Sequence, residues 1–337
     1  MSSPALKFDL FDVLSQPGPR MQAIGEWLLG LWRADSYPHQ DAISYLRERE
    51  VAVNEVETLI AGAAPRVYQE FQGNVPPDRD LLRFLTDCRP CAAVVFDGLS
   101  LREIPAVLNL AEQSGFKVVE QGFSYAAIPS ETIDFVSQRL GLPAVAPSQL
   151  STRRELRDRE IRAYYLQYAS VREQFERNAD ALLIWSAFPD VTYRDAGAKF
   201  AEHFAHLDSM LRPAWMNTVQ AVPPGRKILV TSDHGYVFFG PGLSFPRSNQ
   251  ELSPVVQRFG GQRNSHLEDG QSPLIHRDVE VMQSPENGRV MMLRGRVQTH
   301  AAGPYANALY KHGGLSLMEM FTPWIMLEPK VLTEVHS

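Results

Sequence analysis

Three short apolar runs, CAAVVF (91–96), ALLIWSAF (181–188) and KILVTS (227–232), constrain the fold of this chain more than any other feature. Each is apolar along nearly its whole length rather than at alternate positions, the pattern of a strand covered on both faces. Between them lie stretches with helical spacing. LREIPAVLNLAEQSGF stops at Gly115, SETIDFVSQRLG stops at Gly141, and about 195–215 carries Phe200, Phe204, Leu207 and Leu211 on one face. Strands that alternate with helices are joined by crossovers and run parallel, so the expectation is an α/β fold, a three-layer sandwich with a mostly parallel central sheet. KVVEQGF and WIMLEP supply further strands. At 337 residues and 44% hydrophobic composition, the chain has enough apolar material for such a core.

The flanking regions read differently. MQAIGEWLLGLW, AISYLRERE and NEVETLIAGAA have helical rather than strand periodicity. They predict a helical N-terminal region over 1–88, followed by the α/β domain over 89–330. Residues 151–178 are strongly charged, with Leu156, Ile161, Tyr164, Tyr165 and Tyr168 interspersed, and predict a long solvated helix or two. Between about 241 and 289 the composition turns to Pro, Gly, Ser, Asn and Gln, marking an insertion.

A formal charge of −6 excludes a surface that is basic throughout, so any polyanion must be met locally. No run of about 18 uninterrupted apolar residues occurs, and the first residues lack a basic stretch followed by an apolar one. The expected setting is cytoplasmic, with no membrane partner. Cys88 and Cys91 form a single CRPC, which cannot complete a four-thiolate zinc site.

Each of the three buried runs leads into an acid: Asp97 after VVF, Asp190 after LLIWSAFP, and Asp233, with His234 beside it, after LVTS. In a parallel sheet those tips share one edge, and ligands collect there. Carboxylates brought together repel and raise one another's pKa unless a cation intervenes. Oxygen and imidazole donors without thiolate suit Zn²⁺, Mn²⁺ or Mg²⁺. His312, in KHGGLS, is a further ligand candidate, followed by two glycines that allow close backbone approach. A hydroxyl is offered by AAIPSETIDF, where Ser130 and Thr132 open a helix and face its N–H groups. Either could serve as a nucleophile beside a cation.

In their order, Asp97 after VVF, PSET, the Pro-Asp at 189–190, TSDHG and KHGGLSL resemble the PglZ domain, a branch of the alkaline phosphatase superfamily found in phage-defence gene clusters of the BREX type and in some response-regulator outputs. The resemblance covers roughly residues 90–329. It implies an alkaline phosphatase-like sandwich with two divalent cations, usually zinc, bridged by a Ser or Thr nucleophile. Carried over, Asp97, Thr132, Asp233 and His234 surround one cation, Asp190 and His312 hold the other, and Thr132 is the nucleophile in preference to Ser130. The activity implied is metal-dependent hydrolysis of a phosphate ester, most simply a phosphodiester of a nucleotide or nucleic acid. The partners implied are other subunits of a phage-defence system. Charge on the phosphoryl oxygens asks for cationic donors, for which Arg102, Arg294 and Arg296 are the candidates. Relatives often carry an arginine three residues after the first acid, where this chain has Ser100. Asp195 is a further candidate ligand, and Glu131 puts an unusual negative charge inside the nucleophile run. The competing reading is a catalytically degenerate scaffold that keeps the fold and binds a partner. A sulfatase would need a C/S-x-P-x-R run, and CRPCA (88–92) ends in alanine instead.

Overall fold

The computed structural model describes residues 10–15, 18–33, 42–72, 78–193, 200–286, 288–299 and 309–330. Among these the strands are, in chain order, β1 (Cys91–Phe96), β2 (Phe116–Tyr125), β3 (Ile161–Leu166), β4 (Ala181–Ser186), β5 (Lys227–Thr231), β6 (Val237–Phe238), β7 (Asn264–His266), β8 (Val279–Ser284), β9 (Gly288–Leu293), β10 (Tyr310–Lys311) and β11 (Phe321–Pro329). Six of them build the central sheet in the order β2-β11-β5-β1-β4-β3. β1 is parallel to both β4 and β5, and β3 is parallel to β4; β11 runs antiparallel to β2 and β5. The architecture is α/β with a mostly parallel sheet, as the alternating runs require.

The strand pleat divides the core in two. Ala92, Val94 and Phe96 of β1 point to one face, where they join Ile184, Val230 and the helices Ile104–Gln113 and Phe200–Asn217. Cys91, Ala93 and Val95 point to the other, against Trp185, Leu229 and the helices Leu81–Asp87 and Thr132–Leu140. Three layers follow directly from strands that are apolar on both sides. Met21, Ile24, Leu28, Val53 and Ile60, from the helices Arg20–Leu31 and Ala42–Ala63, belong to the first of these clusters, so the N-terminal helices share a core with the sheet. Among the described residues no helix is long and apolar enough to cross a membrane.

One expectation needs correction, and one segment is more regular than its composition suggests. Residues 151–178 do not form a long helix: they give 3-10 and α turns over Pro147–Thr152 and Arg154–Arg157, and then the edge strand β3. An edge strand needs burial only at some positions, and Ile161 and Leu166 are buried while Arg162 is exposed. Such a strand tolerates the charge that made the segment look like a solvated helix. The insertion, in turn, is structured. It contains the helix Asn249–Phe259, started by a capping box between Ser248 and Glu251, and contributes β7 and β8 to a three-stranded sheet completed by β9. Val255, Phe259, Val279, Met291 and Leu293 form its own small core.

Candidate metal centre

β1, β4 and β5 are parallel and in register, so Asp97, Asp190 and Asp233 follow strand ends at one edge of the sheet. Antiparallel β11 begins at that edge: Phe321 pairs with Tyr125 at the end of β2, and the loop carrying His312 reaches the same place. The carboxylate and imidazole atoms gather into two overlapping groups, Asp97–Asp233–His234 and Asp190–His234–His312, with ligand atoms within 4.8 Å of one another in each. His234 belongs to both, whereas the sequence assigns it to one.

The inner group is fixed by the backbone around it. Gly98 N–H donates to Asp233 Oδ1 at 3.0 Å, and Trp185 Nε1–H donates to Asp97 Oδ2 at 3.3 Å. Ser232 Oγ lies 2.7 Å from the Phe96 carbonyl and so ties the tip of β5 to that of β1. His234 Nδ1 is 2.9 Å from Gly235 O; a carbonyl can only accept, so this nitrogen carries the proton and Nε2 presents its lone pair. Nε2 faces Asp97 Oδ1 at 3.6 Å and Asp233 Oδ2 at 3.5 Å. Thr132 Oγ1 sits in the same cluster, donating to Asp233 Oδ2 at 2.7 Å, with His234 Nε2 at 3.3 Å. It is the first residue of the helix Thr132–Leu140, whose unpaired N–H groups favour negative charge there. Ser130, by contrast, is fully buried and occupied: its hydroxyl donates to Gly314 O and accepts from Gly313 N.

The outer group is more open. Asp233 and His234 side chains are 0% exposed, whereas His312 is 28% and Asp190 19%, so the site opens on the His312 side. The two imidazoles stack with centroids 4.0 Å apart and planes at 13°. His312 Nε2 lies 3.7 Å from Asp190 Oδ1, and its Nδ1 lies 3.2 Å from both Glu131 Oε2 and Ser130 O.

The electrostatics favour a cation at the centre. Burial, then Asp233 and then Asp190, push the Asp97 carboxyl well above the ordinary carboxylate range. Among the described residues no arginine or lysine pairs with Asp97 or Asp233; the imidazole facing both is His234, at 3.6 and 3.5 Å. Burial also raises Glu131, but the His312 charge overrides it and brings the carboxyl down to about 2. Burial lowers His312, and Glu131, Asp190 and Asp97 more than reverse this, raising it well above its usual value. Converging acids, imidazoles and a hydroxyl with no thiolate fit hard or borderline divalent cations.

The three arginines expected at the substrate lie elsewhere. Arg102 is bound to Glu50, with Nη2–Oε2 at 3.1 Å, and donates to the Tyr236 carbonyl at 2.8 Å. Arg296 pairs with Glu50 Oε2 at 2.8 Å and Glu57 Oε2 at 2.7 Å. Arg294 pairs with Glu280 at 3.3 Å. These guanidiniums neutralise acids on other elements, a requirement invisible in the local sequence. Asp195 lies outside the described residues. Cys91 is packed in the core and neither thiol joins the metal groups. Gly235 is needed for space: a Cβ there would collide with the Met318 carbonyl.

No protein-family model matches the chain, and no curated protein does. Among solved structures it is similar to a phosphonoacetate hydrolase from Sinorhizobium meliloti 1021 in complex with phosphonoformate, at 13% identity over 74% of this chain and 91% of that one, with a TM-score of 0.40. It is also similar to murine ectonucleotide pyrophosphatase/phosphodiesterase 5, at 14% identity over 70% of this chain and 87% of that one, TM-score 0.40. Likeness at this level carries nothing about chemistry to this chain.

Proposed function

We propose that the protein is a metal-dependent phosphate-ester hydrolase, most simply a phosphodiesterase, with Thr132 as nucleophile. The observation that supports this best is the Thr132 hydroxyl, 2.7 Å from Asp233 Oδ2 and 3.3 Å from His234 Nε2, at the start of a helix. Divalent cations held by Asp97, Asp233, His234, Asp190 and His312, zinc foremost with manganese or magnesium as alternatives, supply a lowered hydroxyl pKa and compensation for phosphoryl charge.

The chain's own residues account for the rest. Asp233 Oδ2 holds the Thr132 hydroxyl proton in a direct hydrogen bond and sets the direction of the oxygen. Thr132 Oγ attacks phosphorus as its proton passes to Asp233 Oδ2 and on to solvent, the O–P bond to threonine forms, and the bond to the ester oxygen breaks, that oxygen taking a proton from solvent to leave as an alcohol. Water then cleaves the phosphothreonine, restoring the hydroxyl and releasing the phosphate product. The helix N-terminus stabilises charge on the threonine oxygen throughout. On the PglZ resemblance, the reading extends to a cytoplasmic role beside other phage-defence subunits, with a nucleotide or nucleic acid as substrate.

The test is turnover of bis-p-nitrophenyl phosphate by protein loaded with Zn²⁺ or Mn²⁺. Thr132→Ala and Asp233→Ala should each lower it by about 10³-fold or more while the circular-dichroism spectrum is retained. A folded protein that binds divalent metal but turns over neither this diester nor the monoester would favour the scaffold reading instead.

A further inference from the structure

The two histidines of the centre are oriented by different means. His234 leans on a main-chain carbonyl within its own strand-end loop, 2.9 Å away. His312 leans on a side chain as well: its Nδ1 faces Glu131 Oε2 and Ser130 O, both at 3.2 Å. Both neighbours are acceptors, so Nδ1 carries the proton and Nε2, on the Asp190 side, is left for a ligand. A carboxylate can swing on its side chain, and here a second residue holds it. Asn264, the first residue of β7, donates through Nδ2 to Glu131 Oε1 at 2.9 Å and to the Gly313 carbonyl at 3.3 Å.

The glycines after His312 fit this arrangement. Gly313 has φ +96°, and a Cβ there would collide with Glu131 Oε1 and lie 2.6 Å from Asn264 Nδ2. At Gly314 a Cβ would lie 2.6 Å from Arg263 Nε. Arg263, the residue before Asn264, makes a bidentate pair with Glu319, Nε–Oε1 at 2.6 Å and Nη2–Oε2 at 2.8 Å. The same carboxylate accepts from Gly314 N at 2.9 Å and Ser316 N at 3.0 Å. Two consecutive insertion residues thus grip the His312 loop, one through Glu131 and one through Glu319.

We infer that Glu131 and Asn264 are positioning residues for the outer cation: Asn264 holds Glu131, Glu131 holds His312 Nδ1, and the insertion thereby belongs to the metal centre. The inference rests on the metal-centre reading above. It also gives the negative charge in PSET a role directed at the histidine rather than at the substrate. An ionised partner on the far nitrogen fixes the ring and makes the ligand nitrogen more basic.

The test uses the full chain stripped with chelator and titrated with Zn²⁺ by calorimetry, with bis-p-nitrophenyl phosphate turnover measured on the same samples. The unaltered protein should bind in a tight and a weaker phase, the weaker being the open outer group. Glu131→Ala and Asn264→Ala should weaken that phase by about 10–100-fold and leave the tight phase unchanged. Glu131→Gln, which keeps an acceptor but not the charge, should fall between Glu131→Ala and the unaltered protein. A merely structural role would lower both phases together, and that result, or an unchanged weaker phase in Glu131→Ala, overturns the inference. Selective loss without turnover in any sample would uphold it while overturning the hydrolase. Turnover by the unaltered protein with both phases intact in Glu131→Ala would do the reverse, and a chain that binds no zinc overturns both.

Discussion

Two buried acid clusters lie in this molecule, and they are treated in opposite ways. Glu50, Glu57 and Glu319 are fully buried, and each meets a guanidinium from another part of the chain: Arg102 and Arg296 at Glu50, Arg296 at Glu57, Arg263 at Glu319. Asp233, just as far from water, and Asp97, slightly less buried, meet each other, a threonine and a histidine. The consequence shows most clearly at Glu50 and Asp97, although burial still raises Glu57 beside Arg296. Burial would raise Glu50, yet Arg102 and Arg296 hold it below the ordinary value; burial raises Asp97, and Asp233 and Asp190 raise it further. A fold able to bury three arginines on demand gives these aspartates none among the described residues. Permanent cations close the structural cluster, and on the proposed reading the other takes a cation from solvent.

The contrast can be broken by experiment. The largest effect is expected at the paired cluster: Arg296→Met strands Glu57 and half of the Glu50 pairing, and should cost about 3–5 kcal/mol in urea denaturation. A loss within experimental error would mean that the guanidinium is not what makes these acids tolerable. In chelator-treated protein at pH 8, Asp97→Asn should act in the opposite direction and raise the unfolding midpoint, because it removes a charge whose neighbours repel it. A lower midpoint for that variant without metal would sink the comparison.

The smallest effect concerns Glu103, which lies between the two regimes. Its carboxylate accepts from the Tyr236 hydroxyl and from Ser100 N, both at 2.8 Å, while the neighbouring Arg102 is committed to Glu50. Burial outweighs the help from Arg102 and from these hydrogen bonds, and the carboxyl is pushed up to about 7 from an ordinary 4.5. Between those two values the folded protein keeps a proton that the unfolded chain releases, so this group's contribution makes stability fall as pH rises through the window and level off above it. Glu103→Gln should flatten that slope in thermal melts run from pH 4.5 to 8; an unchanged slope would assign it to other groups.

How much of this was legible depends on whether the decisive partner was local. CAAVVF, ALLIWS and KILVT announce themselves because full burial on two faces demands uninterrupted apolar sequence, and the acids that follow mark the edge where the donors meet. β3 was hidden because one solvent-facing edge lets Arg162 pair with Glu176 and mimics a charged helix. The three-stranded sheet of the insertion was obscured by its turns, although Ser248 and Glu251 spell out the start of its helix. Arg102 and Arg296 resembled phosphate ligands because nothing near them in sequence discloses Glu50 or Glu57, 52 and 239 positions away. Asn264 carries no signal at all, and Glu131 carried one only as an oddity in the nucleophile run.

β11 crosses the central sheet against the direction of its neighbours, entering beside the candidate metal ligands at Phe321 and ending at Pro329 opposite Phe116. Nine extended residues carry the chain roughly 25 Å from one rim to the other. Pro329 therefore lies at the rim opposite the one that carries Thr132 and the clustered aspartates. Lys227, paired with Glu328 on that same rim, is an attachment point for a sensor chip that leaves the aspartate cluster facing solution.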